Sequence, residues 1–361
     1  MKKYLYIDDE SLDSIEALIK GLNRCERILV ERMPLEQGDK IEEVYQKLRE
    51  LQYDGIIIDL MLNGNGPFRI ACNSNPIVQY VRDLSERGEH AFCPVVLCST
   101  DKQLKEQLNN GYTSGDLYDY HFSKDFFIDY EHEAIMLESL AKGYDLIKSN
   151  NICKILCRDI SNLDVRPFEP FLEGRIEIKQ CADLILKDLF MYSGLLISEE
   201  VLCARLGIAK KGSYKEVLSL FDSAKYMGVF KEVGNFYWSD LVCEIFYEIF
   251  HVSLATLDAE EKVMLLHKHF LNVELEEASL SAHNHSKRFW TICVKTHECL
   301  DPMEGYRIKE KTTLKPWQDS RFVSFMAISS GDVDINEISP MDVARYYHKV
   351  EYLRKSKDET K

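Results

Sequence analysis

Short apolar runs, each closed by a polar or charged residue, set the rhythm of the first 125 positions. YLYI leads into Asp8 and Asp9, GIII into Asp59, PVVLC into Ser99, and HFS into Lys124. Runs of this length, rich in β-branched and aromatic residues and without alternation, predict strands buried on both faces, as in a parallel sheet. Ligands of open α/β folds bind beyond the carboxyl ends of the strands, so the closing residues are expected together at one sheet edge. From Tyr130 to Ser149 the period changes. Ile135, Leu137, Leu140 and Leu146 recur at helical spacing and predict a helix that closes a first domain at residue 150.

The chain then changes character. Residues 151–180 read as a connector, opened by Asn150-Asn151 and carrying two prolines; Cys153 and Cys157, at helical spacing within it, read as core-facing thiols. Residues 181–255 begin with a helical tract, CADLILKDLFMYSG, ending at Gly194. Ser198 is placed to cap a second helix, EEVLCARL, stopped by Gly207, and SYKEVLSLFDSAKYMG predicts a third. VFKEV and FYWSD flank Gly234-Asn235, a two-residue hairpin signal. Three helices followed by a hairpin look like a winged helix-turn-helix. Residues 256–361 are an α+β region of unassigned role, with helices in AEEKVMLLHKHFLN and a strand followed by a turn in RFVSFMAISSGDVDI. The expected fold class is therefore a doubly wound α/β domain followed by an α-rich output region with a winged-helix-like part.

Asp8, Asp9, Asp59, Ser99 and Lys124 make chemical sense as a group. A hard divalent cation such as Mg2+ prefers oxygen ligands and keeps several waters, which suits two or three carboxylates plus a phosphoryl oxygen. Asp8, Asp9 and Asp59 can supply those carboxylates. Asp59 would then be a nucleophile toward a phosphoryl group, with Lys124 neutralising the charge that develops and the Ser99 hydroxyl hydrogen-bonding a phosphoryl oxygen.

On these residues, in the contexts YIDDE, YDGIIIDLML, PVVLCS and SKD, the segment 1–150 resembles the receiver domain of two-component response regulators. The resemblance implies a five-stranded α/β sandwich, Mg2+ as cofactor, and phosphorylation of Asp59 by a histidine kinase or phosphotransfer protein in a phosphorelay. It implies a switch through Ser99 and an aromatic residue, a cytoplasmic location, and a phosphorylation-dependent homodimer as one output. Three departures stand out. The segment after Asp59 is long and rich in Gly, Asn and Pro, which predicts an enlarged loop before the third helix. Asp125 follows the lysine where the family usually has proline. His121, beside Tyr120, occupies the place of the aromatic switch.

Composition narrows the output. The chain of 361 residues carries a net charge of −15; residues 1–150 hold 17 Lys+Arg against 27 Asp+Glu, contributing −10 and leaving −5 for the rest. That imbalance argues against coating nucleic acid or an anionic membrane. Arg205, Lys210, Lys211 and Lys215 form a small basic cluster, but Lys215, Glu216, Ser219, Asp222 and Lys225 give the third helix a face of mixed sign. A partner protein is the expected output target, and a DNA-binding transcription regulator is the alternative. His267, His269, His283, His285, Cys293, His297 and Cys299 are metal-ligand types, yet their spacing fits no zinc-finger pattern. There is no long apolar run for a membrane span, no phosphate-binding Gly-Lys-Ser/Thr loop and no Gly-x-Ser-x-Gly elbow, so no enzymatic activity beyond self-phosphorylation is expected.

Overall fold

The computed structural model describes residues 1–104, 117–125, 128–174, 177–271, 273–310 and 312–359. Its first element is a five-stranded, all-parallel sheet: β1 (Lys2–Ile7), β2 (Ile28–Arg32), β3 (Gly55–Ile58), β4 (Val95–Ser99) and β5 (Tyr120–Ser123), in the order β2-β1-β3-β4-β5. This is the expected α/β class. All four residues of GIII and all five of VVLCS are buried, because helices cover both faces. The helices α1 (Leu12–Arg24), α2 (Ile41–Glu50) and α3 (Asn75–Glu86) turn apolar stripes inward: Ile15, Leu18 and Leu22 from the first, Val44 and Leu48 from the second. Pro76 in the first turn of α3 occupies a position where a missing backbone N–H costs nothing.

The closing helix of this α/β segment, α4 (Tyr130–Ile147), starts at an Asp129 cap whose carboxylate accepts the His132 N–H. Its apolar surface is broader than one stripe, since Ala134, Met136, Leu137, Leu140, Ala141, Gly143 and Tyr144 are all buried. One side meets the sheet, and Tyr4 donates its hydroxyl to the Leu137 carbonyl at 2.6 Å. The other side is covered by later chain. α5 (Ile152–Leu156), α6 (Ile178–Asp183) and residues 228–233 belong to the same compact unit, which comprises 1–161, 168–186 and 228–233. Gly143 is required there: a Cβ would lie 2.3 Å from the Phe230 ring. The expected boundaries at 150 and 180 are thus not those of the compact unit. Cys153 and Cys157 are exposed rather than core-facing.

The second unit comprises residues 162–167, 187–227 and 234–361. Its helix α7 (Glu199–Leu206) begins where expected, with the Ser198 hydroxyl accepting the Val201 N–H, and stops at Gly207, whose φ of +72° suits a residue without Cβ. The tract after Ser213 forms only a short α8 (Tyr214–Leu218) that tightens into a 3-10 helix over Ser219–Ala224. The hairpin across Gly234-Asn235 does not form. Residues 228–233 are held in the first unit, where the Val229 N–H donates to the Ile155 carbonyl at 2.8 Å and Phe230 is buried at φ +63°. The strand β7 (Phe236–Trp238) pairs instead, antiparallel, with β6 (Leu196–Ser198), and Lys225 bridges to Tyr237. Further on, RFVSF gives a two-residue strand (Phe322–Val323), and Ser324 then caps a helix, Phe325–Ser329, where a turn was expected. Among the described residues no helix is long and apolar enough to cross a membrane.

Candidate functional site

Parallel pairing of Ile7 with Ile58, Ile58 with Leu97, and Ser99 with Ser123 aligns the carboxyl ends of β1, β3, β4 and β5. Backbone bonds fix the residues just beyond: the Asp59 N–H donates to the Ile7 carbonyl and the Lys124 N–H to the Ser99 carbonyl, both at 2.9 Å. Asp8, Asp9, Asp59 and Ser99 are buried at this edge. The Lys124 ammonium stands 3.3 Å from Asp8 Oδ2, 3.4 Å from Asp59 Oδ2 and 3.4 Å from Glu10 Oε1. All five residues singled out from the sequence therefore meet in one pocket.

Its charges do not balance. One ammonium faces three buried carboxylates, and Asp9 Oδ2 and Asp59 Oδ1 are buried with no hydrogen-bond partner among the described residues. Burial, with the neighbouring Asp8 charge added, pushes the Asp59 carboxyl up to about 6 despite the opposing pull of Lys124. Burial and Asp8 raise Asp9 as well. Burial alone would lower the Lys124 ammonium, but Asp59, Asp8 and Glu10 outweigh it and hold it above its ordinary value. Orphaned buried carboxylate oxygens in an anionic pocket are what a cation site presents, and ligand atoms of Asp8, Asp9 and Asp59 all lie within 4.8 Å of one another. These three carboxylates fit a hard divalent ion.

Three features of the pocket went unread in the sequence. Tyr6, inside the YLYI run, is fully buried and donates its hydroxyl to Asp8 Oδ2 at 2.7 Å, while the Glu10 N–H holds Asp8 Oδ1 at 2.9 Å. Its polar tip within an apolar run was the available signal. The enlarged loop between β3 and α3 folds over the acidic pair: the Phe68 N–H donates to the Asp9 carbonyl at 3.1 Å, and a Cβ on Gly66 would lie 2.1 Å from that oxygen. Arg32 stacks on Phe68, 4.2 Å from the ring centroid. Lastly, the Ser99 hydroxyl donates to Gln103 Oε1 at 2.6 Å.

The remaining sequence candidates lie elsewhere. Tyr120 donates its hydroxyl to Glu133 Oε2 at 3.1 Å and His121 is exposed, both on the edge strand β5. No described peptide bond is cis, and Asp125 uses its carboxylate to accept the Asp101 N–H at 2.7 Å. The basic cluster is not a free cationic face. Arg205 is 2% exposed, stacks 4.4 Å from the Trp290 centroid, and donates to Ser239 Oγ at 2.7 Å and Asp319 Oδ2 at 3.3 Å. Lys210 pairs with Glu199 at 3.4 Å and Glu200 at 3.6 Å, Lys211 with Glu276 at 4.0 Å, and Lys215 is exposed. Of the His/Cys series, His297 pairs with Glu200 at 2.8 Å and Cys293 Sγ accepts the Ser324 N–H at 3.3 Å. Among the described residues only Asp8, Asp9 and Asp59 gather three metal-ligand groups, so His267, His269, His283, His285, Cys293, His297 and Cys299 form no such set.

No protein-family model matches the chain, and no curated protein matches it. Among solved structures, it is similar to a two-component response regulator from Clostridium difficile at 18% identity, over 38% of this chain and 95% of that one, with a TM-score of 0.25. It is also similar to a sensor protein from Polaromonas sp. JS666 at 14% identity, over 39% of this chain and 96% of that one, with a TM-score of 0.27. What the pocket can do is read from its own geometry.

Proposed function

We propose that this chain is a phosphorylation-controlled signalling protein of the response-regulator type, in which Asp59 accepts a phosphoryl group from a histidine kinase or phosphotransfer protein. The observation that carries the reading is the convergence of two orphaned carboxylate oxygens, on Asp9 and Asp59, with the Lys124 ammonium at one sheet edge. An Asp59 carboxylate oxygen forms the new P–O bond as the donor's P–N bond breaks. Lys124 stabilises the charge on the transferring group, and Ser99 offers its hydroxyl to a phosphoryl oxygen. Asp8, Asp9 and Asp59 would hold Mg2+, which when bound supplies the positive charge that this acidic pocket lacks. The proposal assigns the chain a cytoplasmic location and no other catalytic activity.

For the output, the engaged state of Arg205 and Lys210 favours a partner protein over DNA, because DNA binding needs cations free to meet phosphates. Incubation with Mg2+ and phosphoramidate should add one acid-labile phosphate, lost in Asp59→Asn. Phosphate retained by that variant would refute the assignment. A sequence-specific complex surviving physiological salt in a gel shift with competitor DNA would overturn the output reading.

A further inference from the structure

The end of β4 and the helical turn that follows share one side-chain acceptor. Asp101–Leu104 is helical, and Thr100 and Gln103 cap its start reciprocally: Thr100 Oγ1 accepts the Gln103 N–H and Gln103 Oε1 accepts the Thr100 N–H, both at 3.4 Å. The Thr100 hydroxyl also donates to Gln103 Oε1, at 2.9 Å. Into the same oxygen, at 2.6 Å, the Ser99 hydroxyl places its only proton. Ser99 is also one of the groups that lower the Asp59 carboxyl, so the two residues neighbour each other at the sheet edge. On the other side of the pocket Asp125, next to Lys124, holds the Asp101 N–H. The first turn of this helix is thus tied to both flanks of the phosphoacceptor pocket, and one tie uses a proton that a phosphoryl group would claim.

We infer that Gln103 is a positioning residue that engages the Ser99 hydroxyl in the unphosphorylated protein, and that phosphorylation releases this tie and loosens the cap at Asp101. The inference rests on Asp59 being the phosphoacceptor. A phosphoryl oxygen is a charged acceptor and a carboxamide oxygen a neutral one, so the Ser99 proton moves to the phosphoryl group once it is present. Gln103 loses its shortest bond at that moment. The switch works only through contacts that differ between the two states, and this hydrogen bond is one.

A double-mutant cycle on beryllofluoride affinity in the presence of Mg2+, in the full chain, tests it. Gln103→Ala frees the Ser99 hydroxyl and should tighten beryllofluoride about fivefold, the effect of one ordinary hydrogen bond. In a Ser99→Ala background the same substitution should change nothing. Gln103→Glu retains the reciprocal cap but offers Ser99 a charged acceptor. It should weaken beryllofluoride binding, by a larger factor with Ser99 present than with Ser99→Ala, and it decides the question should Gln103→Ala not fold. Equal effects of the Gln103 substitutions with and without Ser99 would overturn the competition while leaving Asp59 as acceptor. Failure of the wild-type protein to bind beryllofluoride would overturn both.

Discussion

Two aspartates, Asp59 and Asp119, are buried in the same α/β unit, and their surroundings are opposite. Asp119, just before β5, has its charge matched on every side: Val95 N–H and Arg82 Nη2 donate to Oδ2 at 2.8 Å, Tyr144 donates to Oδ1 at 2.8 Å, and Lys179 of α6 stands 3.4 Å from Oδ1. Burial would raise its pKa, but Arg82 and Lys179 outweigh that and hold it down at about 2. Asp59 has one ammonium shared with two other carboxylates, an orphaned oxygen, and a pKa raised to about 6. A satisfied buried carboxylate is a structural joint. An unsatisfied one costs stability in the isolated chain and marks a place for a cation or a phosphoryl group.

The largest expected effect breaks the structural side. Asp119→Ala leaves Arg82 buried without its partner and should destabilise by about 3–5 kcal/mol, measured by urea denaturation. Because Lys179 belongs to this joint, a chain ending at residue 150 should also be markedly less stable than the full chain. Preserved stability in either would show that the joint is dispensable.

Asp59→Asn should act in the other direction. Removing a carboxylate whose pKa is raised from 3.8 to about 6 relieves its burial and its repulsion with Asp8, and should stabilise the metal-free protein by about 1–3 kcal/mol at pH 7.5. Destabilisation instead would mean that Lys124 satisfies Asp59 fully.

The pH dependence of stability separates the two residues. Asp59 has a raised folded pKa, so its contribution is complete below the ordinary 3.8 and is lost as pH rises through about 6. Asp119 has a depressed pKa, so its contribution is complete above the ordinary 3.8 and is lost as pH falls through about 2. In EDTA the wild-type stability should decline between pH 4 and pH 7, and Asp59→Asn should flatten that decline while leaving the acid limb intact. An unchanged slope would remove Asp59 as its source.

The smallest effect concerns Tyr6. Tyr6→Phe removes the hydroxyl donated to Asp8 and should cost about 1–2 kcal/mol, with the Asp119 joint untouched. A neutral outcome would mean that Lys124 and the Glu10 N–H suffice to hold Asp8.

The amino-acid sequence by itself placed four of the five strands and the five residues at their edge, because short apolar or aromatic runs closed by Asp, Ser and Lys predict buried parallel strands whose ends share an edge; the run that forms β2, Ile28–Arg32, went unread. It also determined α7, whose Ser198 cap and Gly207 stop act within a single helix. It did not determine the hairpin at Gly234-Asn235. A local turn signal was overridden when Val229 and Phe230 found partners near Ile155 and Gly143, far away along the chain. Nor could it assign the charged side chains. Arg205 looked like a free cation and became a buried joint between Trp290, Ser239 and Asp319. The tie of the Ser99 hydroxyl to Gln103 was equally hidden: Thr100 and Gln103 cap a helical turn locally, but only the tertiary placement of β4 beside β3 brings that tie next to Asp59. Local rules act over a few residues and survive folding, whereas the partner of a buried charge is chosen by whatever the fold brings to it.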